Sequence, residues 1–169
     1  AYEWGRDEYG SCVTYDMGNS LGKQVESWER GMLLTNDRKT TVIQDQIAFD
    51  SFQTVYWFAH YSKSYVDSVE ISKDGRTAYM REDLGDGSYQ TLRLSIVSDN
   101  KNFKFEIMDT YTFVHTVEKG FSSNHATYSP EDVAKLGTEK EKSRANYMKL
   151  AISSGEALVF NIAVVIELV

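Results

Sequence analysis

Arg30, Asp45 and His60 are the residues of this chain whose types and spacing come nearest to a reacting set. A carboxylate beside a guanidinium and an imidazole can move a proton and steady a negative charge, which is what general acid–base chemistry needs. The three fall in successive runs of apolar, β-branched and aromatic residues at 28–35, 40–49 and 54–62, joined by Asn36-Asp37-Arg38-Lys39 and Asp50-Ser51-Phe52-Gln53. That succession reads as an antiparallel meander. With Thr35 facing Thr40, Arg30 lies opposite Asp45. Trp28, Met32, Leu34, Ile43, Ile47 and Phe49 share their face, because strand side chains alternate. An opposite-charge pair thus sits within an otherwise apolar stripe. The same register carried across the second turn sets His60 diagonal to Asp45, although a one-residue change in that loop turns it to the other face. Two roles are open to the set: a satisfied buried ion pair that fixes register, or part of a catalytic cleft.

Other chemistry is sparse. His60, His115 and His125 have no partner at the i+2 or i+4 spacing of a zinc site, and HExxH is absent, so no metal site is expected. Ser88, in Gly85-Asp86-Gly87-Ser88, lacks the strand-turn-helix setting of a nucleophile elbow. Glu82, Asp83 and Asp86 offer the paired carboxylates of glycosidase chemistry, but they lie in a glycine-bearing loop where acids are usually just solvated. Tyr56, Trp57, Phe58 and Tyr61 form either a sugar-stacking platform, with Tyr56 and Tyr61 as the contacts, or the core of a central strand.

The elements that must position these residues are strands. Residues 1–9 read as a lead-in segment without a clear period, and 11–17 as a short strand closed by Gly18, Asn19, Ser20 and Gly22. After the meander, runs at 66–73 and 76–80 flank Asp74-Gly75, which predicts a type I′ hairpin. Strands follow at 89–98 and 103–115 around Asp99-Asn100-Lys101-Asn102, each with one wet face. Residues 119–143 form a long polar connection containing Pro130. There Ser129-Pro130-Glu131-Asp132 starts a short helix that Gly137 stops. The chain closes with strands at 147–153 and 158–168 around Ser154-Gly155-Glu156. The continuous apolar run 162–166 predicts a central strand covered on both faces. The fold class expected is all-β, an antiparallel β-sandwich of about nine or ten strands with one short helix in a long connection.

Composition narrows the functions available. With 169 residues, 41% hydrophobic and 13% aromatic, the chain reads as a single β-sandwich domain over 1–169 with a real core. A net charge of -7 argues against nucleic acid, anionic membrane or a heavily sulfated polymer as a direct partner. Cys12 is the only cysteine, so neither an internal disulfide nor a cysteine-rich zinc site is available. No apolar run reaches the roughly 18 residues of a membrane helix. The chain opens at Ala1 without an initiator methionine and stops at Val169 inside a strand pattern, which suggests the C-terminal part excised from a longer protein.

Three segments carry a resemblance. They are Trp28-Glu29-Arg30-Gly31-Met32-Leu33-Leu34, Val42-Ile43-Gln44-Asp45-Gln46-Ile47 and Val55-Tyr56-Trp57-Phe58-Ala59-His60. The succession resembles the "R-x-hydrophobic, hydrophobic-D-x-hydrophobic, W-x-x-H" pattern in the C-terminal β-domain of the heparinase II/III family of polysaccharide lyases. That family implies an upstream α/α toroid packed on antiparallel sheets, with β-elimination at uronic-acid glycosidic bonds. It also implies a catalytic tyrosine and a histidine-rich metal motif upstream of anything matching here. Gln46 departs from the basic residue that often follows the aspartate. The resemblance therefore implies structural roles for Arg30, Asp45, Trp57 and His60. It implies no catalytic residue and no cofactor in this chain, with any metal bound upstream. The implied partners are the toroid and sheet of the same longer chain and, through them, an acidic polysaccharide such as a glycosaminoglycan or alginate-like polymer. Secretion, periplasmic export and a cytoplasmic location are all compatible with it. A different reading of the aromatic residues is an autonomous carbohydrate-binding module.

Overall fold

The computed structural model describes residues 2–18, 20, 22–109 and 147–169. Among them the chain forms strands and no helix: β1 Tyr2–Arg6, β2 Gly10–Asp16, β3 Val25–Thr35, β4 Thr40–Ser62, β5 Ser68–Ile71, β6 Thr77–Asp83, β7 Tyr89–Val97, β8 Phe105–Asp109 and β9 Tyr147–Leu168. They make one nine-stranded sheet in the order β1-β2-β3-β4-β9-β7-β6-β5, with β8 also on β9. Every pairing is antiparallel. The expected helix at 129–137, the whole connection at 119–143 and the end of the strand expected at 103–115 lie outside the described residues.

The β3–β4 hairpin has the register that alternation predicts, with Arg30 opposite Asp45 and Met32 opposite Ile43. Its turn fixes that register locally. Arg38 donates its backbone N–H to the Thr35 carbonyl at 2.9 Å and takes a left-handed φ of 59°. The Asp37 carboxylate accepts the Thr35 hydroxyl at 2.6 Å and the Lys39 N–H at 2.9 Å. Those bonds, the Thr35 hydroxyl first, hold the Asp37 carboxyl below its usual range.

Beyond the hairpin the structure corrects the expected meander. Asp50-Ser51-Phe52-Gln53 is no turn: β4 runs on through it for 23 residues and pairs β9 nearly throughout. Ser154-Gly155-Glu156 is no turn either, since β9 is continuous for 22 residues. The polar breakers of the two strands lie side by side. The ladder shifts register between Ala48 and Gln53 and again between Thr54 and Tyr56, opposite the stretch where Gly155 takes a φ of 61°. Val55 there donates its N–H to the Ser154 hydroxyl at 2.8 Å, so a side chain replaces a lost ladder bond. Two neighbouring bulges, one in each strand, thus take up the polar breakers, and both long strands continue through them.

Three smaller expectations change as well. Residues 2–6 of the supposed lead-in form β1, held by pairing with β2 rather than by burial. Asp74-Gly75 does not make a type I′ turn, because of the two only Gly75 has a positive φ, 75°. Gly75 instead ends a four-residue turn, its N–H bonded to the Ser72 carbonyl at 2.8 Å, and the next rung joins Ser72 N–H to the Thr77 carbonyl. A Cβ at Gly75 would stand 2.9 Å from Lys104 carbons, so both φ and space ask for glycine there. The last strand is central, but its faces are unequally covered, with Ala163 and Val165 on the second face only half-buried. Phe160, Ile162 and Val164 are buried, whereas Asn161 between them is exposed.

The buried face of the sheet gathers Val25, Ile47, Phe49, Trp57, Leu94, Phe105, Ile152 and Phe160 in one cluster. Phe103, just before β8, brings its ring to 5.1 Å from that of Phe160, which joins the β8 end of the sheet to the middle of β9. The two long strands thus carry one core along their length and set the positions of Asp45, Trp57 and His60.

Candidate functional site

Asp45 is the one buried charged residue among those described, with 1% of its surface exposed. Alternation puts it on the core face of β4, facing Arg30 on β3 and Ile162 on β9. The Arg30 guanidinium meets it side-on: Nε–H donates to Oδ1 at 2.7 Å and Nη2–H to Oδ2 at 2.8 Å. The Trp28 indole N–H adds a third bond, to Oδ1 at 2.8 Å. Trp28 and Arg30 are two apart on β3 and share a face, and the guanidinium carbon lies 5.4 Å from the indole ring centroid. The sequence placed Trp28 on the stripe but gave it no polar role. The signal was an aromatic residue with an N–H two positions before the arginine.

This arrangement settles what the carboxylate can do. Both Asp45 oxygens are occupied by donors, two of them charged and in the fork geometry that suits guanidinium to carboxylate. A general base needs an oxygen aimed at a substrate proton. Asp45 aims its oxygens at the neighbouring strand. Arg30 keeps 33% of its side chain exposed, so its outer edge reaches water while its inner edge compensates the buried charge.

His60 is not part of this group. It stands fifteen residues along the same strand from Asp45, roughly 50 Å at about 3.3 Å per residue. The expected diagonal contact required a turn at 50–53, and the continuous strand removes it. Trp57 is 6% exposed and packs in the core. Val55, Ala59 and Tyr61 pack against the same cluster.

Tyr56, Phe58 and His60 alternate onto the opposite face as a row. The Tyr56 and Phe58 rings stack at 5.7 Å and 10°, and His60 tilts against Phe58 at 5.8 Å. The Lys149 ammonium lies 5.2 Å from the Phe58 ring centroid. The structure therefore separates the two tyrosines proposed for sugar stacking, with Tyr56 on the outer face and Tyr61 on the core side. Burial raises the Tyr61 hydroxyl above its ordinary pKa. A sugar stacks on an open ring face, and the faces of Phe58 are already used by its neighbours.

The His60 imidazole is pushed below its ordinary pKa of 6.5, first by partial desolvation and then by the Lys149 charge. A lowered folded-state value means that the unfolded chain binds the proton more readily. His60 thus takes away stability as pH falls from above 6.5 towards its folded value. A proton NMR titration should place its midpoint below 6.5, and Lys149→Ala should move that midpoint upward. A midpoint at or above 6.5, unmoved by the substitution, would contradict this environment.

Two further observations bound the chemistry. Arg93 on β7 donates Nε–H and Nη2–H to one Glu167 oxygen of β9 at 3.0 and 2.7 Å, a cross-strand pair on the face away from Asp45. Sequence reasoning missed it because the pairing of β7 with β9 joins strands far apart in the chain. Among the described residues no three His, Cys, Asp or Glu side chains gather as metal ligands. No protein-family profile matches this chain, and no curated protein is similar enough to count as a relative.

Proposed function

We propose that this chain is a non-catalytic C-terminal β-sandwich domain of a heparinase II/III-like polysaccharide lyase. The longer protein would act by β-elimination on a uronic-acid-containing polysaccharide. The observation that carries the reading is the Arg30–Asp45 pair, in register and with Asp45 buried, at two of the positions that give the sequence its resemblance. Trp57, a third matching position, is in the core. A motif whose residues are spent on hydrogen bonds and packing is what a supporting domain would retain. The sandwich reading is supported by the single core cluster that distant strands share, the way two packed sheets bury their inner faces together. In this account an upstream toroid and sheet supply the acid, the base and any metal, and grip the acidic polymer.

Elimination requires the uronate carboxylate to be neutralised, the C5 proton removed and the leaving oxygen protonated. Incubating the chain with heparan sulfate, alginate and hyaluronan should yield no unsaturated, ultraviolet-absorbing product. A sustained rise that disappears on His60→Ala would overturn the non-catalytic assignment. A second reading, an autonomous carbohydrate-binding module, is favoured by Tyr56, the ring at the end of the outer row, which has Phe58 stacked on one side only. Clear binding of the chain on a glycan array, lost on Tyr56→Ala, would select that reading.

A further inference from the structure

We infer that this chain pairs with a second copy of itself through the edge of β1 that no described strand covers. Strand β1 ends the sheet and bonds only to β2 among the described residues. Its pairing shows which backbone groups are left over. Asp7 donates its N–H to the Gly10 carbonyl at the hairpin end, and pairing then continues without a shift from Arg6–Ser11 to Tyr2–Tyr15. In an antiparallel ladder bonded and non-bonded pairs alternate, so Gly5 and Glu3 point their N–H and C=O groups at β2. Tyr2, Trp4 and Arg6 therefore point theirs outward.

This edge has little of what blunts an open strand. It contains no proline, lysine or bulge. Its side chains on the core-facing side are Tyr2, Trp4 and Arg6, and Trp4 is 75% and Tyr2 69% exposed. These aromatics continue, through Tyr15 and Met32, the rows that are buried further along the sheet.

The sequence of β1 fits its own copy in one register better than in the others. Centred on Trp4 about a two-fold axis, Trp4 meets its counterpart and Tyr2 meets Arg6 of the second copy. All three outward residues of each copy then join the ladder, a guanidinium lies by a phenol ring, and Glu3 falls opposite Gly5. Centring on Glu3 would set two glutamates face to face. Centring on Gly5 would set Glu3 against Asp7. The paired edge makes one continuous sheet from two chains.

Sedimentation velocity over a concentration series tests this. Such a small interface should give a reversible dimer with a dissociation constant of roughly 10–100 µM. Trp4→Lys, which places two ammonium groups on the axis, should weaken it by about tenfold or more. Tyr2→Arg should also weaken it, because the introduced guanidinium would face Arg6 of the second copy. The exchange Tyr2→Arg with Arg6→Glu should bring the dimer back within roughly threefold of its original strength. Non-specific sticking of exposed aromatics cannot produce that rescue. A monomer throughout the series, a dimer indifferent to Trp4→Lys, or an exchange no better than Tyr2→Arg alone would each overturn the inference.

Discussion

Arg30→Met is expected to destabilise the chain by about 3–5 kcal/mol, the usual loss when one partner of a buried ion pair is removed. The Asp45 carboxylate, 1% exposed, would keep only the Trp28 indole as a donor. The reciprocal change should cost less. Asp45→Ala strands Arg30, whose side chain is already 33% exposed and can turn its head outward, so a loss of about 2–3 kcal/mol is expected. Urea unfolding monitored by tryptophan fluorescence and circular dichroism measures both. Equal small losses, under about 1 kcal/mol, would place this pair with ordinary surface bridges. Against a typical total of about 5–15 kcal/mol, the larger figure is a substantial share of what holds a domain of this size together.

Phe160→Ala should have a comparable effect through a different cause. Phe160 is 1% exposed, lies opposite Ile47 on β4, and meets the Phe103 ring at 5.1 Å and 53°. Truncating it removes transfer energy and leaves a cavity that two continuous strands cannot easily collapse, a loss of about 3–5 kcal/mol. Phe160→Leu should recover most of that. The same denaturation series reads it, and an alanine variant within about 1 kcal/mol of the parent would mean that the site is loosely packed.

The central pair was legible in the sequence because its causes are local. A four-residue turn between two alternating runs fixes which residues face each other, and Arg30 and Asp45 follow without long-range information. The all-β class was legible for the same reason. His60 was misplaced because Asp50-Ser51-Phe52-Gln53 carries the residues of a turn yet lies in a bulge. What decides against the turn is pairing with β9, about a hundred positions away, which holds the chain on both sides of the segment, Ala48 opposite Val159 and Gln53 opposite Ala157. No reading of the segment alone can show that pairing. Strand β1 escaped for another reason: its Tyr2, Trp4 and Arg6 do alternate with Glu3 and Gly5, but neither face is buried, so burial left no pattern to find. Tyr56 and Tyr61 are five apart, an odd number, and a regular strand sends such residues to opposite faces. Once β4 is recognised as one strand through that segment, their separation follows.

The most direct test of the account is a double-mutant cycle on Arg30 and Asp45. If these residues hold the β3–β4 register as a pair, Arg30→Met combined with Asp45→Leu removes both charges at once and strands neither. Unfolding in urea should then place the double variant within about 1–2 kcal/mol of the parent, a far smaller loss than the sum for Arg30→Met and Asp45→Leu measured singly. Losses that simply add would show that the two side chains act independently, and would contradict a structural pair at the centre of this domain.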